Sequence, residues 1–324
     1  MDSKRKKLLH NGASLVLALF LFSGMQYQCR NEGLMYLPTG TFRDLMCAAW
    51  KPGDAYALVA GNGVFRYDGN RFKMLSLKIQ GNAVAWKPDG SYALIVGNNG
   101  SIIKYDEKEF IPIPCNSQAP LNAVSWAPDG SYALIVGYAG AILKYNGLKL
   151  EDVSVMDNGL FLEGVDFKPD GSYALIAGIR DYANLMVYTY DGTELSTLLT
   201  GESVWPSDVK WDMTGDYALI SLDWGHVLKF DGEQFVDMDT GMWQKTDGLD
   251  GIDFSPESNA ALIVGAWSHQ PLKPYHTVLL YKDGTFSTLL NKQALSPLVE
   301  AAWRHDGQYA LIVGRQGTAL KYTP

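Results

Sequence analysis

Side chains able to do chemistry gather in one stretch of this 324-residue chain: Arg180, Asp181, Tyr182, Trp205, Asp223, Trp224, His226, Trp243, Trp267 and His269. Indole and phenol rings bury large areas against peptides, sugars and partner side chains, and the interleaved Arg, Asp and His add directional polar contacts. The set therefore reads as a recognition surface. Two of its carboxylates, Asp181 and Asp223, would also serve a glycosidase if they faced each other across a cleft, a distance that sequence spacing does not fix. His226, His269 and His276 match no zinc-ligand spacing. The chain has no G-x-S-x-G elbow, H-E-x-x-H pair, phosphate loop or sialidase-type S-x-D-x-G-x-x-W box. No cofactor is expected. Binding without catalysis is the preferred reading, and a carbohydrate-active hydrolase or lyase using the same surface is the alternative.

The elements that position these residues come from an internal repeat. W-K-P-D-G-S-Y-A-L-I-V-G at Trp86 recurs as W-A-P-D-G-S-Y-A-L-I-V-G at Trp126 and F-K-P-D-G-S-Y-A-L-I-A-G at Phe167, with looser copies at Trp50, Trp211, Phe254 and Trp303. The seven anchors are 36, 40, 41, 44, 43 and 49 residues apart, the period of a four-stranded propeller blade. In the third unit, Leu121 to Trp126, Tyr132 to Val136, Ile142 to Tyr145 and about Lys149 to Val153 read as strands, separated by the Pro128-Asp129-Gly130 turn, a tight turn over Gly137 to Gly140, and Asn146-Gly147. The last unit stops after its third strand, and residues 33–40 look like the fourth strands of other units. The expected fold is all-β: a seven-bladed propeller over residues 31–324, with the N-terminal strand completing the last blade so that no sheet edge is left open.

These repeats, W-x-P-D-G-x-Y-A-L-I-V-G followed by G-x-I-L-K-Y-D-G, resemble the WD40-like propeller repeats, including the periplasmic type with a P-D-G turn, from about residue 33 to the C-terminus. The W-D dipeptide and G-H pair of typical WD40 blades do not recur with the repeat; each occurs once, at Trp211-Asp212 and Gly225-His226. A second resemblance, through G-x-x-G-x-I-L-K-Y-D-G, is to extracytoplasmic propellers that assist photosystem assembly. The resemblance implies that blades run from the channel outward, which brings each second-to-third strand turn and each link to the next blade to one face. There the turns of blades 1, 2, 3 and 7 are minimal, whereas blade 4 (Gly178 to Asn184), blade 5 (Asp223 to His226) and blade 6 (Ala266 to Thr277) depart from the pattern. Of nine tryptophans, the four that are not anchors, Trp205, Trp224, Trp243 and Trp267, fall in these connections. A second candidate site is the channel mouth, where five blades place a polar residue four positions before the anchor: Asn82, Asn122, Glu163, Ser207 and Asp250. Solvated strand ends around a wet channel would look the same.

The N-terminus has a basic stretch followed by an apolar run from about Ala13 to Gly24, the layout of a secretory signal. A cleaved signal, an uncleaved anchor counted from Leu8 to Tyr27, and a lipid anchor at Cys29 all fit it. Each puts the body outside the cytoplasm, because the basic flank stays inside. Residues 1–30 hold five basic side chains and one acid, so the rest carries 22 basic against 34 acidic residues. That balance opposes nucleic-acid binding. Cys47 and Cys115 read as lone thiols. The expected protein is an extracytoplasmic monomer that meets the membrane only through its N-terminal segment and binds a protein or glycan.

Overall fold

The structure, a computed structural model, describes residues 33–324 except 54, 156, 203, 243–247, 266–274 and 295. The N-terminal segment and its three possible fates lie outside the described residues. Seven antiparallel sheets follow one another around a ring, and the innermost strand of each packs against that of the next, the seventh against the first. Those inner strands are Leu45–Trp50, Ala83–Trp86, Leu121–Trp126, Leu160–Phe167, Pro206–Trp211, Gly251–Phe254 and Leu298–Trp303. The A-L-I-V segments form second strands such as Ala133–Gly137, buried throughout because neighbouring blades cover both faces. Outermost strands, such as Phe72–Gln80, alternate between half-buried and exposed, as a rim requires. In blade 1 the second and third strands run on as Ala57–Tyr67, pairing first with the inner strand and then with the outer one.

Leu34–Tyr36 pairs with Ala319–Tyr322, Leu34 opposite Tyr322, and supplies the missing strand of blade 7. His276 pins this closing strand from blade 6. Its Nε2–H donates to the Ser296 carbonyl at 2.8 Å, leaving Nδ1 to accept from the Tyr36 hydroxyl at 2.7 Å. Burial pushes this imidazole down to about 4, so it is neutral over most of the physiological range. His276 is thus a structural link, not a metal ligand.

The repeat motif also joins the blades. The tyrosine of each P-D-G-S-Y unit sets its ring against the next anchor, as in Tyr92 on Trp126 (5.5 Å) and Tyr173 on Trp211 (5.6 Å). Ala260 replaces this tyrosine in blade 6. Third-strand lysines then cover several of the tyrosines, Lys104 lying 4.3 Å from the Tyr92 centroid and Lys321 3.8 Å from that of Tyr309. In the turns, Asp89 and Asp129 each accept from the backbone N–H of the serine two residues on, which explains the D-G-S order.

Candidate functional site

Five of the inner strands carry a bulge at the position four before the anchor: Met46, Asn122, Glu163, Ser207 and Val299 are the extra residues. A bulge leaves its extra residue out of the ladder and re-aims the side chains around it. All five sequence-predicted mouth residues, Asn82, Asn122, Glu163, Ser207 and Asp250, line a central channel of about 1150 Å³. An inner strand is also an edge strand, so its outward backbone groups need partners. Neighbouring blades supply them. Asn82 Nδ2 donates to the Leu121 carbonyl and Asn122 Nδ2 to the Leu162 carbonyl, each at 3.0 Å. Further along the ring carboxylates take over: Asp166 accepts from the Trp211 N–H at 2.9 Å, Asp208 from that of Ile252 at 3.1 Å and Asp253 from that of Trp303 at 2.6 Å.

These carboxylates, with Glu300, surround Lys210. They sit one or three positions before an anchor and were missed in the sequence, because those positions read Ala, Ala, Ser, Asp, Lys, Asp, Ala and Cys, Ala, Ala, Gly, Asp, Gly, Glu around the ring. Aligning the seven units column by column would have exposed the charged run in blades 4 to 7. Desolvation raises the carboxyls of Asp208 and Asp253 to about 6 and that of Glu300 well above the usual range. Burial opposes charge on Lys210 as well, but the Asp166, Asp208, Asp253 and Glu300 carboxylates outweigh it and hold the ammonium protonated. Lys210 lies 3.9 Å from Asp166, and 32% of its side-chain surface still faces the channel.

Above this hub, Glu163 accepts from Asn122 Nδ2 at 2.8 Å and from the Trp205 indole N–H. Desolvation nevertheless pushes its carboxyl up to about 8. Trp205 opens a band of rings that leads away from the mouth: its centroid is 6.2 Å from Phe161 and 5.6 Å from Tyr182, Phe161 is 4.7 Å from Tyr182, and Tyr138 is 4.8 Å from Phe161. Tyr138 and Phe161 were not among the sequence-predicted residues, since one sits in a minimal turn and the other reads as ordinary strand.

The blade 4 departure is a taller hairpin, not a loop. Ala174–Arg180 pairs with Asn184–Tyr190 along seven residues, where the middle strands of blade 3 pair along four, so its turn stands proud of the face. Asp181 and Tyr182 both adopt left-handed φ, +53° and +58°, the pattern of a type I′ turn without its usual glycine. Tyr182 is 67% exposed at this tip. Asp181 donates its N–H to the Gly159 carbonyl, and Arg180 pairs with Asp157 at 2.8 Å and reaches the Tyr188 hydroxyl at 3.3 Å. In blade 5 the expected departure is only a change of side chain. Trp224 (φ +64°) and Gly225 form the turn that Ala139 (φ +58°) and Gly140 form in blade 3, and this places Trp224 at the surface, 41% exposed. The Asp223 N–H donates to the Trp205 carbonyl, which sets this turn against the link carrying Trp205.

His226 pairs instead with Asp237 on the outer strand, at 2.9 Å. Trp243, Trp267, His269 and most of the blade 6 insertion lie outside the described residues. Among the described residues no group of three or more His, Cys, Asp and Glu side chains is placed to hold a metal. No described helix is long and apolar enough to cross a membrane.

A family model described as "Eukaryotic translation initiation factor eIF2A" matches residues 101–227, from the third strand of blade 2 to the third strand of blade 5. Solved structures similar to this chain include the β-propeller domain of Cps50 (Swd1) from Myceliophteria thermophila, at 10% identity and a TM-score of 0.66, with 90% of this chain and 99% of that one covered. Another is YCF48 from Cyanidioschyzon merolae, at 14% identity, the same TM-score and the same coverage. No curated protein matches the sequence. Together with the seven four-stranded blades, these likenesses show a seven-bladed β-propeller built from repeats and assign no particular family.

Proposed function

We propose that this propeller is an exported, non-catalytic recognition module that binds a protein partner through the face carrying the second-to-third strand turns of blades 3 to 5. One observation carries the reading: Tyr182, Phe161 and Trp205 form an aromatic band that is exposed at one end and continues into the channel mouth at Glu163 at the other. Exposed aromatic rings on a rigid scaffold have the composition of binding hot spots. The left-handed Tyr182 adds support, since backbone strain of this kind accumulates at functional turns. Export is argued from the basic and then apolar N-terminal sequence. The translation role printed for the matching family is not carried over. That match stops within blade 5, and 34 acids against 22 bases beyond residue 30 suit RNA poorly.

The test is site-specific photocrosslinking in the native host. A benzophenone amino acid at position 182 should give a discrete protein adduct, while the same probe at Leu148, 96% exposed on the opposite face, should not. A Trp205→Ala background should remove the adduct while the protein still unfolds in a single cooperative transition, at a somewhat lower temperature because Glu163 loses a donor. Equal adducts from both positions, or none from 182, would refute the proposal.

A further inference from the structure

The channel beneath the aromatic band is charged unevenly. Its lining has six acids, Glu163, Asp166, Asp208, Asp250, Asp253 and Glu300, and two fixed cations, Lys210 and Arg315. Lys210 is engaged by the deeper carboxylates, and Arg315 comes from blade 7. The mouth on the side of blades 4 to 6 is therefore lined by Glu163 and Asp250, with Ser207 between them, and by no cation among the described residues. Its rim is the Trp205 indole. At about 1150 Å³ the channel exceeds the roughly 300–1,000 Å³ of small-molecule pockets, so a long side chain has room to enter.

A planar guanidinium suits such a place better than an ammonium, because it can stack on an indole while its N–H fork meets a carboxylate. We infer that the mouth takes an arginine side chain from a segment of the partner protein, whose neighbouring apolar residues lie on the band formed by Trp205, Phe161 and Tyr182. This rests on the recognition role proposed above and names the chemistry the partner must present. The argument is charge complementarity: six acids against two cations among the described residues lining the channel, beside a band of rings exposed at Tyr182.

The inference gives the binding a pH signature. Glu163 is largely uncharged at pH 6 and ionised above about 8, and a guanidinium favours the ionised form. Binding therefore strengthens as pH rises through that range and releases a proton near neutrality. The other titratable or charged groups lining the channel are Tyr138 from blade 3, Asp166 on the same strand, Asp208 and Lys210 from blade 5, Asp250 and Asp253 from blade 6, and Glu300, His305 and Arg315 from blade 7. Tyr138 and Asp166 are raised above their ordinary values, Glu300 is raised well above its own by burial and by the neighbouring carboxylates, Lys210 stays protonated, and Asp208 and Asp253 titrate near 6, below most of the window. Arginine does not titrate here, so the slope belongs to the protein.

The probe is a random twelve-residue peptide library selected against the full chain. Enriched peptides should share an arginine at a fixed position beside an aromatic or aliphatic residue. The same selection on Glu163→Gln should lose the fixed arginine. One enriched peptide, measured by calorimetry on the unmodified chain, should bind at least tenfold more tightly at pH 8.5 than at pH 6, whereas its citrulline counterpart should show no such rise. Because this second measurement uses no variant, it stands even if Glu163→Gln folds poorly. Enrichment without a fixed basic residue, or a flat pH profile for the arginine peptide, overturns the inference and leaves the recognition role standing. No enrichment at all overturns both.

Discussion

Replacing Lys210 with methionine removes the cation at the centre of the channel while keeping much of the stem's volume. Asp166, Asp208, Asp253 and Glu300 are then left without a counter-charge, although all four still accept backbone N–H groups, the aspartates from the next strand and Glu300 from its own chain neighbour. Breaking a buried ion pair from one side costs about 3–5 kcal/mol. Because a third of the lysine surface is open to the channel, the lower end applies at pH 8, about 3 kcal/mol, or a fall in melting temperature of about 5 °C for a domain of this size.

The cost depends on pH in a direction the carboxyls set. Asp208 and Asp253 have folded-state values near 6, above those of an unfolded chain, so between about pH 4 and 6 the folded state holds protons that the unfolded state has lost. Their burial is therefore harmless at low pH and becomes a penalty as pH rises through that window. Glu163 extends it to about 8. Lys210 offsets this penalty only while the carboxylates are charged. Chemical denaturation of both proteins at pH 5 and pH 8 should show a clearly larger loss for Lys210→Met at pH 8, and Lys229→Met, whose ammonium covers the Tyr217 ring, should show no such difference. An equal loss at both pH values, or a variant more stable than the parent at pH 8, would refute the electrostatic account of the hub.

Other expectations concern closure, turns and binding. Deleting residues 33–40 should lower the melting temperature sharply, because it exposes the edge at Ala319–Tyr322 and strips Tyr36 from His276; an unchanged melting curve would contradict ring closure. Gly140→Ala should cost about 2 kcal/mol or more in denaturant titrations, since φ is +68° there and a Cβ would run into the Val155 carbonyl oxygen. Gly232→Ala, also left-handed at φ +98° but with open space around it, should cost only about 1 kcal/mol. Tyr182→Ala should weaken partner binding by about 2 kcal/mol, as truncating a hot-spot aromatic does, while leaving thermal stability within about 0.5 kcal/mol.

The blades were legible because each must bury the same faces against its neighbours, and that demand imprints the same residues seven times. In blade 3 the strands read from the sequence match those in the structure to within a residue or two at their ends. The taller hairpin of blade 4 was read as a loop because Arg180, Asp181 and Asn184 carry no strand signature. Pairing with Leu195–Glu202 holds its second arm in place regardless. The channel staples were illegible for a different reason. An edge N–H can be satisfied from the neighbouring blade by whichever acceptor is within reach, so no single residue type recurs. Likewise, Phe161 belongs to the aromatic band only because a seven-residue hairpin brings Tyr182 over it, a juxtaposition set by pairing and not by spacing.

The central claim is that binding occurs at the aromatic band and the channel mouth beside it. Hydrogen–deuterium exchange of the full chain, with and without a selected arginine peptide, tests this most directly. Slowed exchange confined to residues 157–163, 180–184 and 204–208 is the result the account predicts. Protection at the P-D-G turns around residues 128–131 and 170–173, with none near Trp205, would contradict it.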